Sequence, residues 1–562
     1  MKILLVAVNA KYIHSNPAVY SLKAFADAWK DRIEIAEYSI NGDMTEMLGD
    51  IYRRKPDVIA FSCYIWNWDI IRQMLPNVKK LLPDADLWLG GPEVSFRCGQ
   101  LLEEYTELNG IMVGEGEETF AGLCAFYFDQ SAELSDIAGL FLSGKYADDG
   151  MPFSTGERAP ADLRKLPFLY ESVKDFENRI IYYETQRGCP FRCSYCLSAI
   201  DKTVRFKPME QVLSELQHLL DFRIPQVKFI DRTFNANHEH ACTIWRFLRE
   251  KDNGVTNFHF EIAADLLTDE EMEILKSLRP GLVQLEIGIQ STNPDTLRAV
   301  NRVTDIEKVC SRVKELVTFR NMHIHVDLIA GLPYEDLCSF QRSYDDVFRL
   351  GAEMLQLGFL KVLKGSVIET DAEKYGIVYR NDPPYEVLYT KWLSFSDIFV
   401  LKDVEEMTEM YYNSNQYQNT LRYLLRNVPS PFDFFRQLAE FYRQNGYIVN
   451  QPSRMKRYEI LREFVLGQNL VSDTDLLDEL LTYDIYLREN VKSRPCFAKQ
   501  TAPYRHLLER KESMQMHEEV FVHDILSEEL PVCEPMVVEF HYDRRDALTN
   551  NAATAYRRLR QK

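Results

Sequence analysis

The sequence lacks any apolar run long enough to cross a membrane. Residues 1–8 form a short apolar stretch that soon meets Asn9 and Lys11, whereas a membrane helix needs about 20 apolar residues. This stretch also lacks the cleavage pattern of a signal peptide. We therefore expect no membrane insertion and a cytoplasmic protein.

The sequence also lacks the cysteine pattern of a disulfide-bonded protein. Its 11 cysteines are an odd number without repeated spacing, which argues against a disulfide framework and agrees with a reducing compartment. We expect most of the scattered cysteines to be small buried apolar residues: Cys63, Cys98, Cys124, Cys242, Cys310, Cys338, Cys496 and Cys533.

An excess of positive charge is missing as well. The formal net charge of −19 argues against a broad surface for nucleic acid or anionic membrane, although it leaves room for a local basic groove. The length of 562 residues exceeds what one hydrophobic core supports, so we expect two to four domains.

The three remaining cysteines are tightly clustered. Cys189, Cys193 and Cys196 form a C-x3-C-x2-C pattern within residues 187–196, RGCPFRCSYC. Three thiolates on one loop can bind three irons of a four-iron cluster and leave the fourth iron open, whereas a structural site normally takes four ligands. Gly188 and Pro190 suit a sharply bent loop. A zinc knuckle with a distant fourth ligand, or three buried thiols, are the alternatives.

This motif resembles that of the radical S-adenosylmethionine (SAM) enzymes, and Tyr195 matches the aromatic residue that precedes the third cysteine in that family. The resemblance implies a [4Fe-4S] cluster on Cys189, Cys193 and Cys196, with SAM on the open iron. It further implies reductive cleavage of SAM to a 5′-deoxyadenosyl radical. No catalytic residue beyond these cysteines is predicted.

Residues 1–140 alternate strands with helices. Apolar runs predict strands at 1–8, 33–38, 56–62, 87–93 and 110–117, and the periodicity between them predicts helices at 18–29, 44–54 and 69–82. This alternation indicates an α/β fold with a doubly wound, flavodoxin-like sheet, which binds ligands at the carboxyl ends of its strands.

Four loops are expected at that edge, at residues 9–17, 62–66, 90–95 and 114–117. Together they resemble the loops of the cobalamin-binding domain fused to many radical SAM enzymes. The resemblance rests on N-A-K-Y-I-H-S-N-P, L-G-G-P-E and V-G-E-G-E. It implies that cobalamin contacts these residues: Asn9, His14, Ser62, Tyr64, Gly90, Gly91, Pro92, Glu93, Gly114, Glu115 and Gly116. Because His14 does not lie in a D-x-H-x-x-G motif, we expect it to be a hydrogen-bonding residue of its loop rather than a lower ligand to cobalt.

The middle of the chain resembles a radical SAM barrel. After a connector at 141–175, strands are predicted at 180–185, 226–231, 257–262, 282–291, 323–333 and 354–360, matching the family's partial (β/α)6 TIM-type barrel at 176–400. The family places its chemistry at the carboxyl ends of such strands. The resemblance implies SAM contacts at Tyr195, Asp231, Asn235, Glu286, Gln290, Ser291, Asp327, Ile329 and Gly331. Polar pairing within the barrel is the alternative role for Glu261, Glu286, Gln290 and Asp327.

Residues 401–562 carry no recognisable chemical motif. Apolar periodicity predicts helices at 419–426, 432–445, 457–466 and 476–489, and strands at 520–522 and 536–542. The segment resembles a mainly helical accessory domain of unknown function found behind some cobalamin-type radical SAM proteins.

The preferred hypothesis is a cobalamin-dependent radical SAM C-methyltransferase with an unidentified substrate and an electron donor such as flavodoxin or ferredoxin. Ring formation or rearrangement is a related alternative. A methylthiotransferase would need a second cluster and an RNA-binding barrel, and a non-enzymatic alternative is a cobalamin or redox sensor.

Overall fold

A computed structural model of the chain describes all residues except 174, 175, 178, 202, 427, 499–501, 509–514, 528 and 559–562. The end of the predicted connector, at 174 and 175, lies outside the described residues. The chain divides into two compact units. The first comprises Met1–Leu275, Arg298–Val303 and Phe359–Lys391, and the second comprises Lys276–Leu297, Thr304–Gly358 and Trp392–Lys562. Among the described residues, none of the helices has the length and apolar character that a membrane crossing requires.

The first unit begins with the predicted α/β sheet. Its strands are β1 (Ile3–Asn9), β2 (Ile33–Ser39), β3 (Val58–Ser62), β4 (Asp86–Gly90), β5 (Leu108–Met112), β6 (Leu140–Leu142) and β7 (Phe153–Ser154). Its helices are α1 (Pro17–Phe25), α2 (Met44–Arg54), α3 (Trp68–Leu81), α4 (Cys98–Glu104) and α5 (Glu117–Cys124).

The strand order is β2-β1-β3-β4-β5-β6-β7, parallel through β5 and antiparallel for the last two strands. β1 is buried along its whole length because apolar layers cover both faces of the sheet. Leu4 and Val6 belong to one layer, and Ile3 and Leu5 to the other. The order reverses between β1 and β3, which is the ligand-binding switch point of such sheets. The predicted doubly wound sheet is confirmed.

The first unit continues into the segment expected to form the barrel. Its strands are β8 (Ile181–Tyr183), β9 (Gln186–Arg187), β10 (Arg205–Phe206), β11 (Gln226–Phe229) and β12 (Asn257–Ile262). Its helices are α6 (Met209–Asp221), α7 (His238–Glu250) and α8 (Asp269–Lys276). β11 pairs in parallel with β8 and β12, whereas β9 and β10 form a short antiparallel pair.

The next elements belong mainly to the second unit. They are β13 (Val283–Gln290), α9 (Pro294–Ala299), α10 (Ile306–Phe319), β14 (His323–Ala330), α11 (Leu337–Phe348) and β15 (Met354–Phe359). β13 pairs in parallel with β14, and burial alternates strictly along both strands. One face of each is therefore core, and the other carries the polar residues that the sequence analysis singled out. All six strands predicted for the barrel are present.

The chain then returns to the first unit for four short elements before the C-terminal region. These are α12 (Val367–Thr370), α13 (Ala372–Tyr375), β16 (Val378–Tyr379) and β17 (Val387–Tyr389).

The C-terminal region of the second unit is helical with a small sheet. Its helices are α14 (Phe395–Met407), α15 (Gln418–Leu425), α16 (Pro431–Gln444), α17 (Tyr447–Asn450), α18 (Arg454–Gly467) and α19 (Thr474–Arg488). Its antiparallel strands are β18 (Met516–His523), β19 (Val532–Arg545) and β20 (Ala552–Arg558). The four predicted helices and two predicted strands are found, whereas β20 was not predicted.

Candidate active site

The three motif cysteines lie on the loop that follows β9. Cys193 is buried, and Cys189 and Cys196 are partly exposed; all three are free thiols. The chain turns at Gly188, where φ is +94° and an added Cβ would lie 2.1 Å from the carbonyl oxygen of Thr203. A side chain at this position would therefore clash with the backbone, so the turn requires glycine.

Backbone hydrogen bonds hold this loop on both sides. The amide of Ser194 donates to the carbonyl of Val300 at 2.9 Å, and the amide of Ile368 donates to the carbonyl of Ser194 at 2.9 Å. Free thiols on a fixed loop are the donor set that suits an iron–sulfur cluster. The assignment of these residues as its ligands remains a prediction.

A buried polar network lies just before the loop that carries the three motif cysteines, which we call the cluster loop. The carboxylate of Asp231 accepts hydrogen bonds from the amides of Thr185, at 2.8 Å, and Gln186, at 3.1 Å. The hydroxyl of Thr185 bonds to Asp231 and lies 2.9 Å from Nε2 of His240. Burial raises the pKa of Asp231 to about 7 and lowers the pKa of His240 to about 4. In this network Asp231 fixes the chain that leads into the loop.

The other two SAM residues predicted in the first unit are also engaged. Asn235 uses both ends of its amide on the backbone of Ala263, donating at 2.9 Å and accepting at 2.9 Å. The hydroxyl of Tyr195 accepts a hydrogen bond from Arg302 at 3.4 Å, and burial raises the pKa of this phenol. Their contacts with SAM remain a prediction.

The second unit holds the remaining SAM candidates on two paired strands and in the residues that directly follow them. Glu286, Gln290 and Ser291 lie on or directly after β13, and Asp327, Ile329 and Gly331 lie on or after β14. Gly288 pairs with Asp327, and Gln290 pairs with Leu328 across a register shift. The parallel pairing therefore brings the two groups to one edge.

Gln290 stands out among them. Its φ of +72° is unusual for a residue with a side chain, and its Oε1 is a buried acceptor without a hydrogen-bond partner among the described residues. Ser291, by contrast, donates to buried Glu335 at 2.7 Å. An orphaned buried acceptor is costly unless a ligand or water satisfies it, which suits the predicted role of Gln290.

A large cavity opens at the carboxyl edge of the N-terminal sheet. Its volume is about 1390 Å³, above the roughly 300–1,000 Å³ of ordinary small-molecule sites. Its lining includes seven of the predicted cobalamin residues: Ser62, Tyr64, Gly90, Gly91, Pro92, Gly114 and Gly116. At Gly91, φ is +111° and an added Cβ would lie 2.4 Å from the carbonyl oxygen of Cys63. The residues present therefore fit a large flat ligand that needs close approach to the backbone.

A second cavity of about 610 Å³ joins the sheet loops to the first strands of the barrel segment. Asn9, His14, Tyr64 and Glu115 line it from the sheet. From the other side it is lined by Tyr182, Glu184, Gln186, Lys228, Arg232 and Glu261. Tyr64 lines both cavities, so the two spaces share one wall.

The imidazole of His14 hydrogen-bonds to a residue of β8, outside the loop that carries it. Its Nδ1 lies 2.5 Å from the hydroxyl of Tyr182, and burial, followed by nearby Lys11 and Lys228, lowers its pKa. Glu93 is the one predicted cobalamin residue that lines neither cavity, and it accepts a hydrogen bond from Tyr385.

Arg187 is a functional candidate that the sequence analysis missed. It directly precedes the cluster loop and donates to Glu117 at 2.5 Å and to Glu184 at 2.9 Å. Nearby Arg205 pairs with Glu115. Both acids belong to the V-G-E-G-E segment, at the carboxyl edge of the N-terminal sheet where cobalamin is predicted to bind (the cobalamin edge). These ion pairs therefore connect the cobalamin edge to the cluster loop. The two glutamates of that segment and the arginine of R-G-C were the available signals.

Comparison with known families gives the class of the protein. Residues 3–124 match the B12 binding domain, residues 183–347 match the radical SAM superfamily, and residues 373–535 match a protein family of unknown function (DUF4080). The chain thus carries a B12-binding domain, a radical SAM domain and a DUF4080 domain. The radical SAM domain implies a [4Fe-4S] cluster and SAM, and the B12-binding domain implies cobalamin.

Particular relatives agree with this organisation. The chain is 25% identical over 352 residues to the cobalamin-dependent radical SAM methyltransferase TokK of Streptomyces tokunonensis, covering 58% of this chain and 50% of TokK. The chain spans about half the length of the first curated relatives that it matches.

Two solved structures share the fold. TsrM of Kitasatospora setae, a radical S-adenosylmethionine methyltransferase with cobalamin and a [4Fe-4S] cluster bound, gives a TM-score of 0.56 at 17% identity, over 68% of this chain and 79% of TsrM. The cobalamin-dependent S-adenosylmethionine radical enzyme OxsB gives 0.60 at 14% identity, over 90% of this chain and 84% of OxsB.

Proposed function

We propose that this protein is a cobalamin-dependent radical SAM enzyme that methylates a carbon atom of an unidentified substrate. The observation that carries the proposal is that the loop with the three motif cysteines and the loops predicted to bind cobalamin lie in the same compact unit. The cluster loop, the cobalamin edge and the cavities between them belong to that unit, and Arg187 bonds to Glu117 across them. The likeness to TokK over 58% of this chain supports the reaction class.

When bound, the cluster and SAM supply a carbon radical, and methylcobalamin supplies the methyl group. The protein's own residues hold these groups in place. Asp231 fixes the backbone of Thr185 and Gln186 ahead of the loop, and Gln290 offers an unused acceptor. The glycines at Gly90 and Gly91 leave the sheet edge open to a flat ring. Such positioning is the protein's share of cofactor chemistry.

Anaerobic reconstitution with iron, sulfide and cobalamin tests this function. We expect 5′-deoxyadenosine from SAM in the presence of dithionite, and its loss in Cys193→Ala. Cys338→Ala, which removes an exposed thiol outside the motif, is the matched control and should keep the activity. SAM cleavage that survives Cys193→Ala would contradict the proposal.

The methyl-transfer part has its own test. Reduced cobalamin bound to the protein should take the methyl group of SAM. The product, methylcobalamin, is recognised by its visible spectrum.

Iron counting separates the related alternative. About four irons per chain are expected, whereas about eight would favour a methylthiotransferase with a second cluster. SAM cleavage itself would exclude the sensor alternative.

We further infer that a one-electron donor such as flavodoxin or ferredoxin supplies the reducing electron, and that the protein acts in the cytoplasm. Free thiols at all the cysteines agree with that compartment.

A further inference from the structure

Arg302 is a charged side chain next to the cluster loop that has no part in the function proposed above. Its Nη1 lies 3.6 Å from Sγ of Cys193 and 3.4 Å from the hydroxyl of Tyr195. Cys193 is 7% exposed, and the contact with it is part-buried. A guanidinium is charged at every accessible pH, so this cysteine sulfur has a permanent cation beside it.

The position of Arg302 is fixed by the backbone. The carbonyl of Val300, two residues before Arg302, accepts a hydrogen bond from the amide of Ser194 at 2.9 Å. This bond fixes the segment that carries Arg302 against the cluster loop. The carbonyl of Ala299 accepts the hydroxyl of Tyr375 at 3.4 Å. Asn301 then turns the chain with a φ of +52°. Three consecutive residues thus place the guanidinium at the sulfur.

We propose that Arg302 is a positioning residue that holds Cys193 and Tyr195 and raises the reduction potential of the cluster bound at this loop. The inference rests on the proposed function, because it assumes that Cys193 is a cluster ligand. One electron from an external one-electron donor adds one negative charge to the cluster. A cation and hydrogen-bond donor at a ligating sulfur stabilise that added charge, since hydrogen bonds and charge around the sulfurs set such potentials.

A redox titration of the reconstituted protein, followed by the electron paramagnetic resonance signal of the reduced cluster, tests this role without SAM, cobalamin or substrate. Arg302→Gln and Arg302→Met remove the charge and should both shift the midpoint potential to more negative values. Arg302→Lys keeps the charge but not the planar fork, so its midpoint should lie between those of Arg302→Gln and the wild type.

Arg192→Gln is the matched control. Arg192 directly precedes Cys193 but is exposed, so solvent screens its charge and its loss should leave the midpoint at the wild-type value. If Arg302→Gln does not retain its cluster, the Arg302→Met and Arg302→Lys midpoints still decide the question.

The two hypotheses fail differently. Midpoints of Arg302→Gln and Arg302→Met equal to the wild type, at equal iron content, would overturn the role of Arg302 and leave the proposed function intact. Wild-type protein that binds no four-iron cluster would overturn the proposed function itself.

Discussion

Replacement of Asp231 by asparagine should make the protein's thermal stability fall less as the pH rises from 5 to 8. Asp231 is completely buried, and burial raises its pKa to about 7 from about 3.9 in an unfolded chain. A raised folded pKa means that the stabilising contribution is fully present below pH 4 and is lost as the pH rises towards 7. Ionised Asp231 therefore costs the folded state free energy at neutral pH.

The magnitude follows from the shift. Three pKa units correspond to about 4 kcal/mol at full ionisation, and about 2.5 kcal/mol of this develops between pH 5 and pH 8. Asparagine cannot ionise, yet its oxygen can still accept the amides of Thr185 and Gln186. The free energy of unfolding of Asp231→Asn should thus gain about 2.5 kcal/mol on the wild type across this interval.

Thermal unfolding at pH 5, 6, 7 and 8 measures this gain. For a compact unit of roughly 300 residues, with an unfolding entropy of about 2.1 cal/mol/K per residue, the difference in melting temperature between variant and wild type should grow by roughly 4 °C from pH 5 to pH 8. Asp84→Asn removes an exposed carboxylate and should show no such growth. A difference for Asp231→Asn that stays constant over the range would refute the reasoning.

Three further predictions concern the same regions. Gly91→Ala should lower the amount of cobalamin retained through gel filtration, measured by visible absorbance, because its Cβ would meet the Cys63 carbonyl at 2.4 Å. Gly114→Ala shares the strain of a positive φ, +80°, but its Cβ would have no atom of the described residues within 4 Å. It should therefore retain more cobalamin than Gly91→Ala, and equal retention would contradict the steric argument. Arg187→Gln should lower the free energy of unfolding, measured by chemical denaturation, by roughly 3 kcal/mol, because it leaves the buried carboxylate of Glu117 without its charged partner. A decrease below about 1 kcal/mol would mean that solvent screens the ion pair. His14→Ala should leave the cob(II)alamin paramagnetic resonance spectrum free of nitrogen superhyperfine splitting, as in the wild type, because His14 bonds to Tyr182; splitting in the wild type that His14→Ala abolishes would instead make His14 a cobalt ligand.

Much of the fold was predictable because the signals are local. The apolar run of β1, the alternation along β13 and the three-cysteine spacing can each be read within about ten residues. β20 escaped prediction because its sequence, AATAYRR, has too few apolar residues to show a pattern. Its strand conformation comes from pairing with β19, a contact that its own sequence does not encode.

The site is harder to predict because its contacts join distant residues. Arg302 meets Cys193 across 109 positions, His14 meets Tyr182 across 168, and Arg187 meets Glu117 across 70. Motifs identified both loops separately, but nothing in one sequence alone states which arginine lies beside which thiol.

The salt bridge of Arg187 with Glu117 bears on how this protein can be dissected. A fragment ending near residue 140 would keep the carboxylates of Glu115 and Glu117 and lose the guanidinium groups of Arg187 and Arg205. Such a fragment would leave both acids without their cationic partners and would remove contacts that hold the V-G-E-G-E loop in place, so we do not expect the B12-binding domain to keep its ligand edge when it is expressed alone. Experiments on corrinoid capture therefore call for chains that extend at least past Arg205.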